Sequence, residues 1–326
     1  MNQKIRRSVL AASAIALSVT VGAGVTAAGA TDDQPKSSSN SRSNSSSSYN
    51  SNGSRSSCAN PSGYRITLRV VALTSDRKLI CFDEYRPTDY NTVAITGVGA
   101  GETIIGIDFR PFNGKLYAVT NNAGSAKAYT VDPGTGSATL AFTIAGALTG
   151  TQFGVDFNPA ADRLRIIGND GQNLRIVPDG TTPAATPGAT TVDKPLNYGG
   201  VTATDVTAAG YTNNDNDGNG TTPAGSSGTT LYDIDTARDQ LVLQNPPNDG
   251  GLIPVGPLGV NASSVAGFDL FSTVRNGTTF DIKGLAALNV GGAMALYRIA
   301  PFSGKAFIRG ALPSTVTDIA IPLNQL

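Results

Sequence analysis

The segment Ile105-Gly106-Ile107-Asp108-Phe109-Arg110-Pro111 returns as Phe153-Gly154-Val155-Asp156-Phe157-Asn158-Pro159, and more loosely as Ala266-Gly267-Phe268-Asp269-Leu270. Thr207-Ala208-Ala209-Gly210-Tyr211 and Thr317-Asp318-Ile319-Ala320-Ile321 fit the same frame, with Gly210 and Ala320 at the aspartate position. Aligning Phe109, Phe157, Tyr211, Leu270 and Ile321 gives spacings of 48, 54, 59 and 51 residues. That period suits one four-stranded blade with long loops, and repeats of this kind bury their faces only against one another.

Between the openers the chain alternates apolar and polar residues, as in Lys115-Leu116-Tyr117-Ala118-Val119, punctuated by Asn-Gly, Asp-Gly, Pro-Gly and Gly-Gly pairs. This is the pattern of strands and tight turns. The final repeat has only an opening strand before Leu326, whereas Val70–Thr74, Leu79–Asp83 and Thr92–Thr96 supply three strands without an opener. Joining the two ends completes a blade and removes free sheet edges. The expected fold is therefore all-β, a five-bladed β-propeller over residues 61–326; a β-sandwich is the rival arrangement.

The repeated Gly-Val-Asp-Phe phrase occurs with Leu116-Tyr117-Ala118-Val119, Leu231-Tyr232-Asp233-Ile234-Asp235, Gln244-Asn245-Pro246-Pro247 and Leu285-Ala286-Ala287-Leu288-Asn289-Val290-Gly291-Gly292. In these motifs the chain resembles a family of exported bacterial proteins, domain of unknown function 4394, over roughly Val70 to Leu323. The resemblance implies a secreted, propeller-like protein and brings no established activity or catalytic residues with it.

Residues 1–30 read as a secretory signal. Lys4, Arg6 and Arg7 precede an uncharged stretch, and Ala28-Gly29-Ala30 offers the small-residue cleavage pattern. Residues 31–60 read as a Ser-rich disordered stalk, because 13 of the 21 residues from Ser37 to Ser57 are serine and offer little apolar surface to offset ordering. In an exported chain Cys58 and Cys81 are a candidate disulfide. The expected location is secreted or cell-envelope, with no membrane span after signal removal.

With no histidine in the chain, Ser–His–Asp and Cys–His catalysis and His-ligated metals are excluded. The formal charge of +0 becomes about −3 once the signal's three basic residues are removed, which gives nothing for nucleic acid to hold.

Asp108, Asp156 and Asp269 share one frame position on strands expected to line the axis. Clustered carboxylates with pKa values pushed apart could cleave glycosidic bonds, as inner-strand carboxylates do in five-bladed glycosidases, an analogy of fold alone. The competing account is structural, each carboxylate bonding backbone N–H groups in the turn after its strand. Recurrence at one frame position favours that account, since an active site seldom repeats itself. Asn213, Asp215, Asp217 and Asn219, with Gly218, have the spacing of the first half of a calcium loop, but Ala224 stands where the bidentate Glu belongs. A polar hairpin loop running into Thr221–Gly228 is the favoured reading of this segment, so no cofactor is expected, with a weak calcium ion here as the alternative. Tyr129, Tyr232 and Tyr297 could stack on sugars or pack in the core.

The expected function is an extracytoplasmic binding or surface-interaction module, monomeric, with a glycan or a surface protein as ligand. The alternative is a carboxylate-dependent glycan hydrolase or lyase.

Overall fold

In the computed structural model the described residues are Cys58, 67–180, 185–214, 228–275, 278–323 and Gln325. The signal and stalk segments, and Asp215, Asp217 and Asn219 of the calcium reading, lie outside them. Residues with branched and aromatic side chains form β1 (Arg69–Thr74), β2 (Lys78–Asp83) and β3 (Arg86–Ala94). Next come β4 (Thr103–Phe109), β5 (Leu116–Asn122), β6 (Ser125–Val131) and β7 (Ala138–Thr143). The third group is β8 (Phe153–Asn158), β9 (Arg163–Gly168), β10 (Asn173–Ile176) and β11 (Thr190–Val192).

A small hairpin, β12 (Asn197–Tyr198) with β13 (Val201–Thr202), precedes β14 (Val206–Tyr211), β15 (Leu231–Asp235), β16 (Gln240–Gln244) and β17 (Leu252–Pro257). Then follow β18 (Ala262–Arg275), β19 (Thr278–Val290), β20 (Ala293–Ile299), β21 (Ala306–Ala311) and β22 (Val316–Ala320). The sheets β4–β7, β8–β11, β14–β17 and β18–β21 are blades 2, 3, 4 and 5, each an antiparallel meander. Blade 1 has the order β22-β1-β2-β3, with Val71 opposite Ala320 and Leu73 opposite Asp318. The chain is a five-bladed β-propeller whose ring is closed by the strand nearest the C-terminus.

Side-chain alternation packs the blades together. On β1, Val71 and Leu73 join a core with Ile107, Phe109 and Leu116 of blade 2. Val70 and Ala72, pointing the other way, join Leu285, Ala287 and Leu296 of blade 5. The junctions of blades 2 with 3 and of 4 with 5 are likewise apolar. Blade 3 gives the core at its junction with blade 4 little beyond Ile167; the rest comes from blade 4 and the preceding segment. Tyr129, Tyr232 and Tyr297 are buried among these cores.

Cys58 and Cys81 are joined by a disulfide, with Cα atoms 5.5 Å apart. The Cys58 N–H donates to the Pro133 carbonyl in the blade 2 turn. Both cysteines sit in the core between blades 1 and 2. A cross-link across 23 residues restricts the unfolded chain by about 3 kcal/mol. The Cys58→Ala/Cys81→Ala protein is expected to lose that much unfolding free energy in urea titration. A loss under about 1 kcal/mol would show that the bridge adds little.

Candidate functional site

The innermost strand of each blade has one edge unpaired, because its neighbour lies only on the outer side. N–H groups along that edge still need acceptors. In four of the five blades an aspartate supplies one, reaching to the next blade. Asp108 accepts from the N–H groups of Phe109 and, on blade 3, Phe157. Asp156 accepts from Tyr211 on blade 4. Asp269 accepts from Leu270 and, on blade 1, Ile321.

Asp318 accepts from Ile319 and, on blade 2, Ile107. These two expectations about the frame are therefore corrected. The last repeat does carry a carboxylate, set two residues ahead of Ala320 and so on the same side of the strand. The donors are inner-strand groups of the neighbouring blade and, for Asp108, Asp269 and Asp318, the next residue of the same strand, not groups in the following turn.

Blade 4, with Gly210 at the aspartate position, uses a different device. Asn214 Oδ1 accepts from the Ser272 N–H, and Asn214 Nδ2 donates to the Leu270 carbonyl. Asn213 is committed to the protein as well: its N–H donates to the Ser272 hydroxyl, its Nδ2 to the Gly228 carbonyl, and its Oδ1 accepts from Thr279.

Asp108, Asp156 and Asp269 come together at the centre, with one carboxylate oxygen from each within 4.8 Å of the others. All are buried, at 5%, 2% and 1% exposure, and Asp318 joins them at 7%. Burial raises the pKa of Asp108 and Asp156 well above the ordinary carboxylate range, and repulsion from the neighbouring carboxyls adds to it. Burial pushes Asp269 up to about 7 and Asp318 well above its usual value, against the lowering effect of the backbone donors. At this spacing the carboxyls can share protons, or all three can touch one cation.

The inner strands approach one another closely beside the buried aspartates. Gly154 and Gly267 stand two residues before an aspartate, where inner strands meet. A Cβ on Gly154 would lie 2.7 Å from the Ala209 nitrogen, and one on Gly267 would lie 2.5 Å from the Asp318 Cα. Only glycine fits at these two positions.

A second polar cluster lies between blades 3 and 4, and sequence reasoning missed it. Asp156, Arg165 and Arg175 are successive cross-strand partners and so share the blade 3 face that looks toward blade 4. The matching position of Arg165 is Tyr117 in blade 2, Tyr232 in blade 4 and Leu285 in blade 5. Aligning the second strands blade by blade would have exposed the exception. Arg165 is 1% exposed and bonds Tyr211, Asn173, Asp193 and Asn248. Asp233 faces this junction from blade 4 with neither oxygen hydrogen-bonded among the described residues, and burial raises its pKa well above the usual value despite the opposing pull of Arg165.

Solved structures to which the chain is similar include a nidogen/laminin complex, at 13% identity and a TM-score of 0.41, covering 80% of this chain and 100% of that one. An auxiliary nutrient binding protein from Bacteroides thetaiotaomicron is 16% identical with a TM-score of 0.37, over 67% of this chain and 55% of that one. TolB from Acinetobacter baumannii is 13% identical with a TM-score of 0.38, over 79% and 67%. No curated protein matches the sequence. The model of one family, domain of unknown function DUF4394, matches residues 78–320, and the chain belongs to that family.

Proposed function

We propose that the chain is an exported, non-catalytic propeller that binds an extracytoplasmic partner, in the cell envelope or outside it, through the exposed surface of its ring. The observation that carries the non-catalytic part is the state of the central aspartates. A glycosidase needs carboxyls about 5–9.5 Å apart with the sugar between them. Here the oxygens crowd within 4.8 Å, are sealed from solvent and already accept backbone N–H bonds. The apparatus suits ring closure. Among the described residues no helix is long and apolar enough to cross a membrane. The signal pattern of residues 1–30 motivates the export part.

The test is a glycan array together with reducing-sugar assays on arabinan- and levan-type glycans, using protein recovered from the culture medium or envelope. Retention of a glycan or surface component without turnover is expected, with a mature N-terminus at Thr31. Release of sugar that Asp156→Asn abolishes would overturn the reading in favour of a hydrolase.

A further inference from the structure

Between blades 3 and 4, at the end of the ring where β8 turns into β9, lies a concave pocket of about 170 Å³ lined by Arg163, Arg165, Arg175, Tyr211, Asn158 and Asn248. Arg163 and Arg165 are two apart on β9, and Arg175 is directly opposite Arg165 on β10, so the three guanidinium groups share one face. Like charges placed opposite each other destabilise a sheet unless something lies between them.

Asp193 does part of this work. Its Oδ2 accepts from Arg165 and Arg175, and its Oδ1 accepts from Arg175. One carboxylate against three guanidinium groups leaves the pocket strongly positive. The other carboxyls facing it do not cancel that charge: Asp156, one strand inward, and Asp233, across on blade 4, are both held toward the neutral acid by burial.

The donors are arranged rather than merely present. Hydrogen bonds to Tyr211, Asn173, Asp193 and Asn248 take four of the five N–H groups of Arg165 and fix its plane, leaving one on Nη2. Arg175 spends Nε and one Nη2 hydrogen on Asp193 and keeps its Nη1 pair. Arg163 Nη1 is held by the Ala161 and Asp162 carbonyls, which leaves Nε and Nη2. A buried arginine without a full set of partners is costly, and retaining one where other blades have Tyr or Leu indicates use. Guanidinium forks match carboxylate and phosphate oxygens in pairs. The volume falls below the roughly 300 Å³ at which pockets begin to take drug-sized ligands, so it suits a small anionic group.

We propose that this pocket binds a small oxyanion, the carboxylate of a sugar acid or a phosphate group, with Arg163 and Arg175 as the ligand-contacting residues and Arg165 as the positioned base of the site. The proposal names a ligand class for the binding module above, and the physiological part of it rests on that reading; the affinity for anions does not.

The experiment is titration calorimetry of the whole exported protein with inorganic phosphate, glucuronate and, as the neutral control, glucose, at matched ionic strength. Saturable one-site binding of phosphate or glucuronate is expected, with no heat from glucose. Stronger binding of glucuronate assigns a sugar acid, and stronger binding of phosphate assigns a phosphate group. Arg163→Gln and Arg175→Gln should each weaken binding at least tenfold, with Arg175→Lys in between and the exposed Lys305→Gln unchanged. Arg163 bonds only carbonyls, so its variant keeps the test valid if Arg175→Gln, which strips a partner from Asp193, melts early. No saturable binding of either anion, or binding by both Gln variants as tight as wild type, overturns the proposal. In that event a ligand found elsewhere on the ring still leaves the binding-module reading standing. Turnover of a bound sugar acid would do the reverse, sinking that reading while keeping the pocket.

Discussion

Removal of residues 314–326 is expected to abolish cooperative folding. The deletion takes away β22, and with it Val316, Ile319, Ile321 and Leu323, all buried between blades. At about 1.5–3 kcal/mol for each large aliphatic side chain, the loss is about 6–12 kcal/mol. Native domains are stable by roughly 5–15 kcal/mol in total, so little would remain. Two polar links go as well: Asp318 no longer receives the Ile107 N–H, and Asp269 loses the Ile321 donor. Circular dichroism melting and gel filtration would read the outcome. A truncated protein that stays monomeric and melts near wild type would mean that β22 does not close the ring.

The second large effect is expected at the central aspartates, and its size should depend on pH. Asp108→Asn and Asp269→Asn each replace one of two accepting oxygens by an NH₂ that confronts a backbone donor, and Asp156→Asn puts an NH₂ in place of an oxygen of the carboxyl that accepts from Tyr211. The expected cost is about 1–3 kcal/mol each. The triple variant approaches the whole stability of a domain, less what is regained by relieving repulsion among neighbours. The pH dependence follows from the raised pKa values. In the folded protein these groups hold protons that the unfolded chain has released above about pH 4. Their contribution is complete below that value and is lost as pH rises through the folded values, near 7 for Asp269.

Wild type should therefore melt lower at pH 8.5 than at pH 5.5, and the Asn penalty should shrink over the same interval because one repelling charge has gone. The carboxyls titrate together, so the slope belongs to the group rather than to one residue. Calorimetric scans at several pH values are the measurement. Variants that melt higher than wild type at pH 5.5 would contradict the backbone-bonding role, and would return attention to catalysis.

The difference between what could be read in advance and what could not has physical causes. The five blades were legible because each opener repeats a phrase whose apolar residues must face neighbours on both sides, as Ile319 and Ala320 do in blade 1. The shared blade was legible because the strand counts at the two ends complement each other. Asp318 escaped because alignment on Ile321 placed Ala320 at the aspartate position. The carboxylate needs only the right side of the strand, and a shift of two residues preserves that. Asn214 escaped for a similar reason, four residues beyond Gly210. The arginine pocket depends on the segment near Arg163 meeting the turn at Asn248, 85 positions away, and no local pattern encodes that meeting.

The pairing of β1 with β22 joins Val71 to Ala320 across 249 positions. Contacts this distant in sequence form slowly, because the chain must first lose the entropy of closing so long a loop. The strands made first are thus among the last to be completed. Until β22 arrives, the hydrogen-bonding edge of Arg69–Thr74, with four apolar residues in a row, is open to any other unpaired strand. The closing step therefore sets a concentration limit on refolding: in dilute solution β22 finds its own β1, and in concentrated solution it competes with the edges of other chains.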